Sequence, residues 1–492
     1  MKISKILFFI LVFFIPIGTR KIFFTHASFY LGYHAFYNSL YLYLTDLIIF
    51  GLIFVWLLEN RKIISREMIR SLWRDQISRY LMIFVIICSV SVFVSYETKL
   101  ALYGVFKIFE FTLVFLYIKA NISVSREIRM ALLILLFSVS LQAILGIYQY
   151  SQQSSLGLKI LGEEYLRPKV YGIAQFLTTG LSNFSVSRET LVFRAYGTNP
   201  HPNILAALLM VGLIVNFYLF YSFRTVFYNK SSFLKMLLQV LLVFSMLLIS
   251  SALVLTFSRL IWGLVLTAIV FWFLIILVWL RGKHGVSMKQ IRMPPETQRY
   301  FPGRLIVIAL TLIFCLCLNW LVFSNQIKDR LQARGEPEEI ARQESFADRA
   351  EFNNIAIEMI KKNFLFGVGA RNFVVKMDEF NRPSLDSRLQ RGGGVHLLPQ
   401  QHQPVHNIYL LIAAESGVAA LVIFLIFIYY IVRRGWEEIK TGDDPVLHVS
   451  LLIIFFSLLA GGLFDHYIWT LQQGSFAFWL IGGFLAAIPQ QS

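Results

Sequence analysis

The chain has 492 residues, of which 57% are hydrophobic, 16% aromatic and only 15% charged, and its formal net charge is +17. A soluble domain carries about 25% charged residues and no long apolar runs, so composition excludes a soluble globular class, and length is no guide to domain count. The basic balance does not call for nucleic acid, because Lys and Arg gather in the gaps between apolar runs, as the positive-inside rule predicts.

Runs such as MLLQVLLVFSMLLISSALVLTF and WGLVLTAIVFWFLIILVWL can each cross a hydrocarbon core of about 30 Å as a helix. The first element, MKISKILFFILVFFIPIG, has the basic and apolar parts of a signal peptide without a small-x-small cleavage site. It reads as a retained first span. Four basic gaps follow along the chain, at 59–79, 119–129, 281–304 and 433–440. All four are cytoplasmic together if both termini are inside and there are about twelve spans. The spans then fall near 6–18, 40–58, 80–96, 100–118, 130–150, 203–221, 236–257, 261–280, 304–323, 407–432, 447–463 and 472–489.

The expected fold is therefore all-α, a polytopic membrane helix bundle with two long external loops, the second partly helical. It divides into an N-terminal transmembrane bundle (1–150), an external loop (151–202), a central transmembrane segment (203–323), a large external loop (324–406) and a C-terminal transmembrane segment (407–492). There is no internal repeat and no inverted hydropathy symmetry of the kind many transporters carry. Cys88, Cys315 and Cys317 lie inside apolar runs and imply neither a disulfide framework nor a metal site.

Several polar residues stand out in chain order. Asp46 falls in span two, and Lys107 and Glu110 are i and i+3 on span four. They are either helix-fastening pairs or the intramembrane charges of a transporter. In FRAYGTNPHPNILAALL, Pro200 and Pro202 break the chain and Asn203 can cap the next span. Arg194 and His201 are thus held at the mouth of that helix. TFSRLIWG puts Arg259 in a very short external turn, against the positive-inside bias, as a site residue or a snorkelling interface arginine.

In the second long loop, Phe352, Ile355, Met359 and Ile360 recur at helical spacing between Glu338 and Asn363. Acidic residues at its start and Lys361 and Lys362 at its end suit the helix dipole. This predicts an amphipathic helix closed by a turn at Gly367 and Gly369. Arg349 sits one turn before Phe352, as a solvated charge or a site residue. RPSLDSRLQRGGGVHLLPQQHQPVHN reads as a flexible approach. Its His396, His402 and His406 do not make a zinc motif, since Pro404 disfavours the helical i, i+4 pair and no cysteine is near.

The stretch PVHNIYLLIAAESG starts span ten with His406 at the external surface. Asn407 either orients the imidazole or caps the helix. Glu415 lies about two and a half turns deeper and reads as a helix-packing partner. GGLFDHYIWTLQQG puts Asp465 and His466 in the last external turn, with Tyr467 and Trp469 as an interfacial aromatic belt. Three arginines and several histidines thus meet on one face of a hydrophobic bundle. Guanidinium forks match phosphate oxygens, and imidazole is the commonest general base near neutral pH. The combination suggests transfer from a lipid phosphate.

RAYGTNPHPNILA, SRLIWG, GVGARNF, HNIYLLIAAESG and FDHYIWTLQQG, in this order and with a large external loop before the histidine, resemble the landmarks of the O-antigen ligase and polymerase superfamily. The likeness covers roughly 190–475 in five ordered motifs, while the first five spans match only in hydropathy. It implies a C-type bacterial membrane glycosyltransferase in the cytoplasmic membrane. Such an enzyme takes glycan from a polyprenyl diphosphate carrier on the external (periplasmic) face, without nucleotide sugar, cofactor or metal. It implies His406 as base and Arg194, Arg259 and Arg349 as holders of the diphosphate. Asn407, His201, Asp465 and His466 are the accessory candidates. The implied partners are the carrier-linked donor, a lipid or glycan acceptor and the bilayer, with no nucleic acid. A polymerase of the same superfamily would differ only in acceptor, and a lipid-linked glycan flippase or anion transporter is the non-enzyme alternative.

Topology is directly testable. A reporter active only outside the cytoplasm should work when fused after Ser155 or Gln390 and fail after Arg70 or Gln290. The reverse pattern would remove the common external site.

Overall fold

The computed structural model describes residues 2–30, 33–60, 70, 72–170, 172–178, 190–223, 231–281, 301–332, 336–380 and 402–487. Its helices are α1 (Ile3–Phe14), α2 (Leu44–Glu59), α3 (Gln76–Val90), α4 (Thr98–Asn121), α5 (Ser125–Gln152), α6 (Pro202–Tyr221), α7 (Ser232–Leu255), α8 (Arg259–Arg281) and α9 (Phe301–Gln332). Then come α10 (Glu336–Lys362), α11 (Phe373–Phe380), α12 (Ile408–Ser416), α13 (Val418–Thr441), α14 (Pro445–Gly461), α15 (Tyr467–Thr470) and α16 (Gln472–Ala486). Among the described residues, eight of these are long and apolar enough to cross a membrane. The shorter α1, α2, α14 and α16 complete the bundle. The protein is an all-α polytopic membrane helix bundle.

The helix α6 stands at the centre and packs on α5, α7, α8, α9, α14 and α16. Its sequence is apolar on every face, the pattern of a helix surrounded by protein, and its whole membrane window is buried. Between helices in lipid there is little hydrophobic drive, so close van der Waals packing carries the association. Pro200 and Pro202 fix where α6 begins. Proline at N1 costs no hydrogen bond, and His201, not Asn203, is the cap, its Nδ1 accepting from the Asn203 backbone N–H. The expected cap at Asn203 is thereby corrected: its side chain is free for other partners.

Charged gaps separate to the two ends of the bundle. At one end Lys119 binds Asp75, Lys5 binds Glu127, Arg129 lies 3.9 Å from Asp444, and Arg304 donates to the Tyr221 carbonyl. Asp75, Lys119, Glu127, Arg129 and Arg304 lie in three of the four basic gaps, and Asp444 lies just beyond the fourth. At the other end the chain folds into small non-helical pieces. Strands β1 (Arg20–Phe23) and β4 (Leu40–Tyr43) pair antiparallel around the short pair β2 (Phe29–Tyr30) and β3 (Tyr33–His34). Strands β5 (Gln175–Thr178) and β6 (Thr190–Phe193) make a third ladder. None of these strands was expected from hydropathy.

The helix α10 buries Phe352, Ile355 and Met359 on the face predicted for it, against a second small core that includes Phe373, Val405 and Leu411. The tenth span is not continuous. Gly417 separates α12 from α13 with φ 88° and ψ 163°, a region that is essentially glycine-only. The chain breaks there because the GVGARNF turn takes over the carbonyls at the end of α12. Val368 N–H donates to Ala414 O and Gly369 N–H to Glu415 O, each at 2.9 Å. Gly367, at φ 67°, lies so close that a Cβ would sit 2.4 Å from the Glu415 carbonyl carbon. Lys107 is buried between Asp46 (2.5 Å) and Glu110 (3.0 Å), and Gln472 also binds Asp46. The charges expected inside spans two and four are thus mutually paired. Tyr467 is buried and Trp469 packs on Phe84 and Phe424, so they are core residues and not an interfacial belt.

Gly417→Ala would bring a Cβ to 2.0 Å from the Leu365 carbonyl oxygen, in a backbone region that L residues avoid. It should destabilise the fold by at least about 2 kcal/mol and lower the thermal midpoint of the detergent-purified protein. Gly51→Ala, where a Cβ would meet nothing within 4 Å, is the control and should leave the midpoint unchanged.

Candidate active site

At the non-basic end a cleft of about 990 Å³ opens between the N-terminal hairpin, the start of α6, the turn before α8, the end of α9, α10 and the segment entering α12. Arg194, His201, Arg259, Arg349, His406, Asp465 and His466 all line it. Every candidate lines this one cleft except Asn407. Asn407 accepts from the N–H groups of Tyr409 and Leu410 through Oδ1, so it caps α12 and does not orient the imidazole.

The turn ahead of α8 explains how two arginines are aimed. Phe257 has φ 47°, unusual for a bulky residue, and this turns successive carbonyls to opposite partners. Thr256 O accepts from Arg194 Nε at 2.5 Å, and Phe257 O accepts from Arg330 Nε at 3.3 Å. Arg194 is 6% exposed. Burial first, and then neighbouring Arg330, push its guanidinium down to about 9, which leaves it charged at neutral pH. Arg259 is exposed and is the first residue of α8, where helix N–H groups and the dipole already favour an anion. Arg349 is half-buried on α10, and the structure gives it no hydrogen bond or ion pair among the described residues. Beside Arg20 on β1, a further cleft-lining arginine that sequence reading missed is Arg330. It ends a long helix among other charged residues, and nothing local distinguishes it from a solvated charge.

Asn203 links the arginines to the acid. Its Oδ1 accepts from Arg194 Nη2 at 2.8 Å and from Ser258 Oγ at 3.0 Å, and its Nδ2 donates to Asp465 Oδ2 at 3.1 Å. The other Asp465 oxygen accepts from the His466 backbone N–H at 2.7 Å. Burial raises the Asp465 carboxyl, but the surrounding imidazoles and the Asn203 amide outweigh it and hold it below the usual carboxylate range.

Three imidazoles surround this carboxylate with different assignments. His201 Nδ1 accepts the cap hydrogen bond, so its proton belongs on Nε2. Thr470 donates to the His466 carbonyl, so its oxygen accepts from His466 Nδ1 at 2.7 Å and leaves His466 Nε2 unprotonated. Both rings are neutral: burial leads in pushing each down to about 3, seconded by Arg194 for His201 and by His406 for His466. His406 stacks on Phe352 (centroids 6.2 Å apart) and tilts against His466 (5.1 Å). Its Nδ1 is buried without a hydrogen bond, which leaves Nε2 as the nitrogen able to face the cleft. Burial lowers its pKa, Asp465 opposes this and Arg349 adds to it.

His406, Asp465 and His466 offer ligand atoms within 4.8 Å of one another, a spacing that a metal ion could use. This cluster differs from the histidine set weighed in the sequence. His402 instead sits 3.5 Å from Asp378 on α11, and His396 lies outside the described residues.

A search of curated proteins finds no match to the chain. Residues 244–425 match the family model described as O-antigen ligase, a stretch that runs from α7 into α13 and carries Arg259, Arg330, Arg349 and His406. With a helical membrane bundle and arginines and histidines gathered in one cleft, this match over part of the chain supports a place in the O-antigen ligase and polymerase superfamily.

Proposed function

We propose that this protein transfers a glycan from a polyprenyl diphosphate carrier to an acceptor hydroxyl at the external face of the cytoplasmic membrane. The observation that carries the reading is the meeting of an acid-flanked histidine with Arg194, Arg259, Arg330 and Arg349 in one cleft. The four basic gaps gather at the opposite end, so the positive-inside rule favours an external cleft.

His406 accepts the proton of the acceptor hydroxyl while that oxygen bonds to the anomeric carbon. The bond from that carbon to the diphosphate oxygen breaks, and the electron pair leaves with the diphosphate. Arg194, Arg259, Arg330 and Arg349 hold it and stabilise its developing charge. Single displacement inverts the anomeric centre. Asp465 serves as counter-ion to the imidazolium formed, and neutral His201 presents an N–H to the cleft. The acceptor is lipid A core or a similar hydroxyl-bearing glycan. A polymerase would use the same machinery on a growing carrier-linked chain. The flippase and transporter alternatives are disfavoured by the contacts of Lys107 with both Asp46 and Glu110, which tie these groups into one helix-fastening cluster.

His406→Ala should lower transfer by about 10²- to 10⁴-fold, with carrier-linked glycan accumulating and normal protein in the membrane. Parent-like turnover would sink the assignment of the base, as would retention of function by His406→Asn or His406→Gln. Arg259→Lys keeps charge but loses the fork, so the rate should drop about 10- to 100-fold. Full activity there would make Arg259 an interface anchor only.

The pH profile separates base from bystander. A His406 pKa held below its ordinary value keeps the base unprotonated to lower pH, so the acid limb of kcat/KM should lie below about 6.5. Asp465 raises that pKa, so Asp465→Asn should move the limb further down and reduce kcat. Movement of the limb upward would exclude Asp465 as the counter-ion. The 4.8 Å cluster favours one second reading, a metal-assisted transfer. Arginines crowd this position and both Asp465 oxygens are already hydrogen-bonded, so a chelator should leave the rate unchanged. Its abolition by chelator and return with added divalent cation would establish the second reading.

A further inference from the structure

One wall of the cleft belongs to the N-terminal hairpin and the loop after α5, segments with no role in the mechanism above. Arg20 on β1 meets Glu164 through a single contact, Nη2 to Oε1 at 2.5 Å. A structural arginine–carboxylate pair closes as a two-bond fork, and this one does not. Arg20 Nη1 is buried with no hydrogen-bond partner, although the side chain is only 10% exposed. Glu164, one-third exposed, makes no hydrogen bond through Oε2. Arg20 thus fixes one carboxylate oxygen of Glu164 and leaves Oε2 facing the cleft for a donor that the described residues do not supply.

The surroundings are apolar and flat. The Arg20 guanidinium lies 5.8 Å from the Phe36 and Tyr41 ring centroids, and Phe36, Tyr37 and Ile173 line the same cleft. The wall is also held rigidly. Gly18 N–H donates to Leu161 O at 3.2 Å and Thr19 Oγ to Ile160 O at 2.8 Å, which clamps the loop carrying Glu164 to the strand carrying Arg20. Preorganised polar groups among aromatic faces are the ordinary make-up of a small-ligand site.

We infer that Arg20 and Glu164, with Phe36 and Tyr37, form a carbohydrate subsite that grips one sugar ring of a reacting glycan. One ring hydroxyl donates to Glu164 Oε2, which Arg20 holds in place through the other carboxylate oxygen, and the C–H face of the ring packs on the aromatic side chains. The two groups act on binding and orientation and do not touch the reacting atoms. The subsite rests on the glycan-transfer reading, and the ring comes from either the donor glycan or the acceptor, which share this chemistry.

The test measures binding to the full-length protein in nanodiscs with three probes: polyprenyl diphosphate alone, carrier-linked glycan isolated from the host cells, and the host's acceptor oligosaccharide freed of lipid. Glu164→Gln and Arg20→Lys should weaken one of the two glycan probes about tenfold, the loss of a charged hydrogen bond, and leave polyprenyl diphosphate within about twofold. Weakened carrier-linked glycan assigns the ring to the donor, and weakened oligosaccharide assigns it to the acceptor. If both glycan probes stay within about twofold in Glu164→Gln, or polyprenyl diphosphate weakens as much as they do, the subsite is wrong. The partly exposed Glu164 keeps the test decisive should Arg20→Lys fail to accumulate. Failure of polyprenyl diphosphate to bind the parent would instead overturn the diphosphate reading, and the glycan probes would still decide the subsite.

Discussion

A single carboxamide, that of Asn203, joins a buried guanidinium to a buried carboxylate at the end of the central helix. Removing one partner of a buried charge costs about 3–5 kcal/mol, so Arg194 and Asp465 are tolerable there only because the amide serves both. Much of the nearby structure follows from that demand. His201 must take the capping position so that the Asn203 side chain is available, and Phe257 must adopt a left-handed conformation so that Thr256 O can take the Arg194 Nε–H. The last turn before α15 must also return to the start of α6, although 262 residues separate Asn203 from Asp465. The apolar uniformity of α6 complements this. A helix surrounded by protein on all sides gives a fixed floor on which a polar cluster can be held in one geometry.

Hydropathy revealed the bundle because lipid allows so few solutions for the backbone. The helix α10 was equally legible, since Phe352, Ile355 and Met359 repeat with helical period and bury accordingly. Two kinds of feature were not legible. One is the break at Gly417: apolar residues run on both sides of it, and only the approach of GVGARNF, far away in sequence, gives the glycine its purpose. The other is the small sheets of the site end, whose strands of two to four residues are too short to show alternation.

The same limits shaped the reading of the site. His406, Arg194 and Arg259 stood out because charge at the edge of an apolar run is conspicuous, and they do share a cleft. Arg330, Arg20 and Glu164 lie within ordinary charged stretches, where only folding distinguishes a cleft residue from a solvated one. Asn203 was expected as a cap and Asn407 as a cap or as the group that orients the imidazole, and an amide before a helix does not show in sequence which role it takes. The hydrogen bonds divide them, with Asn407 as cap and Asn203 as bridge.

The break at Gly417 also bears on how the base is held. Membrane spans tilt and shift as bilayer thickness varies, because hydrophobic mismatch is relieved at modest cost. A base rigidly continuous with a span would be carried along with each adjustment. Here His406 precedes a nine-residue helix whose final carbonyls are bound by the turn at Val368 and Gly369, while Val418 at the start of α13 donates to Phe364 O, so both sides of the break are tied to one segment. The position of the imidazole is thereby set by a turn distant in sequence as well as by the span that follows it.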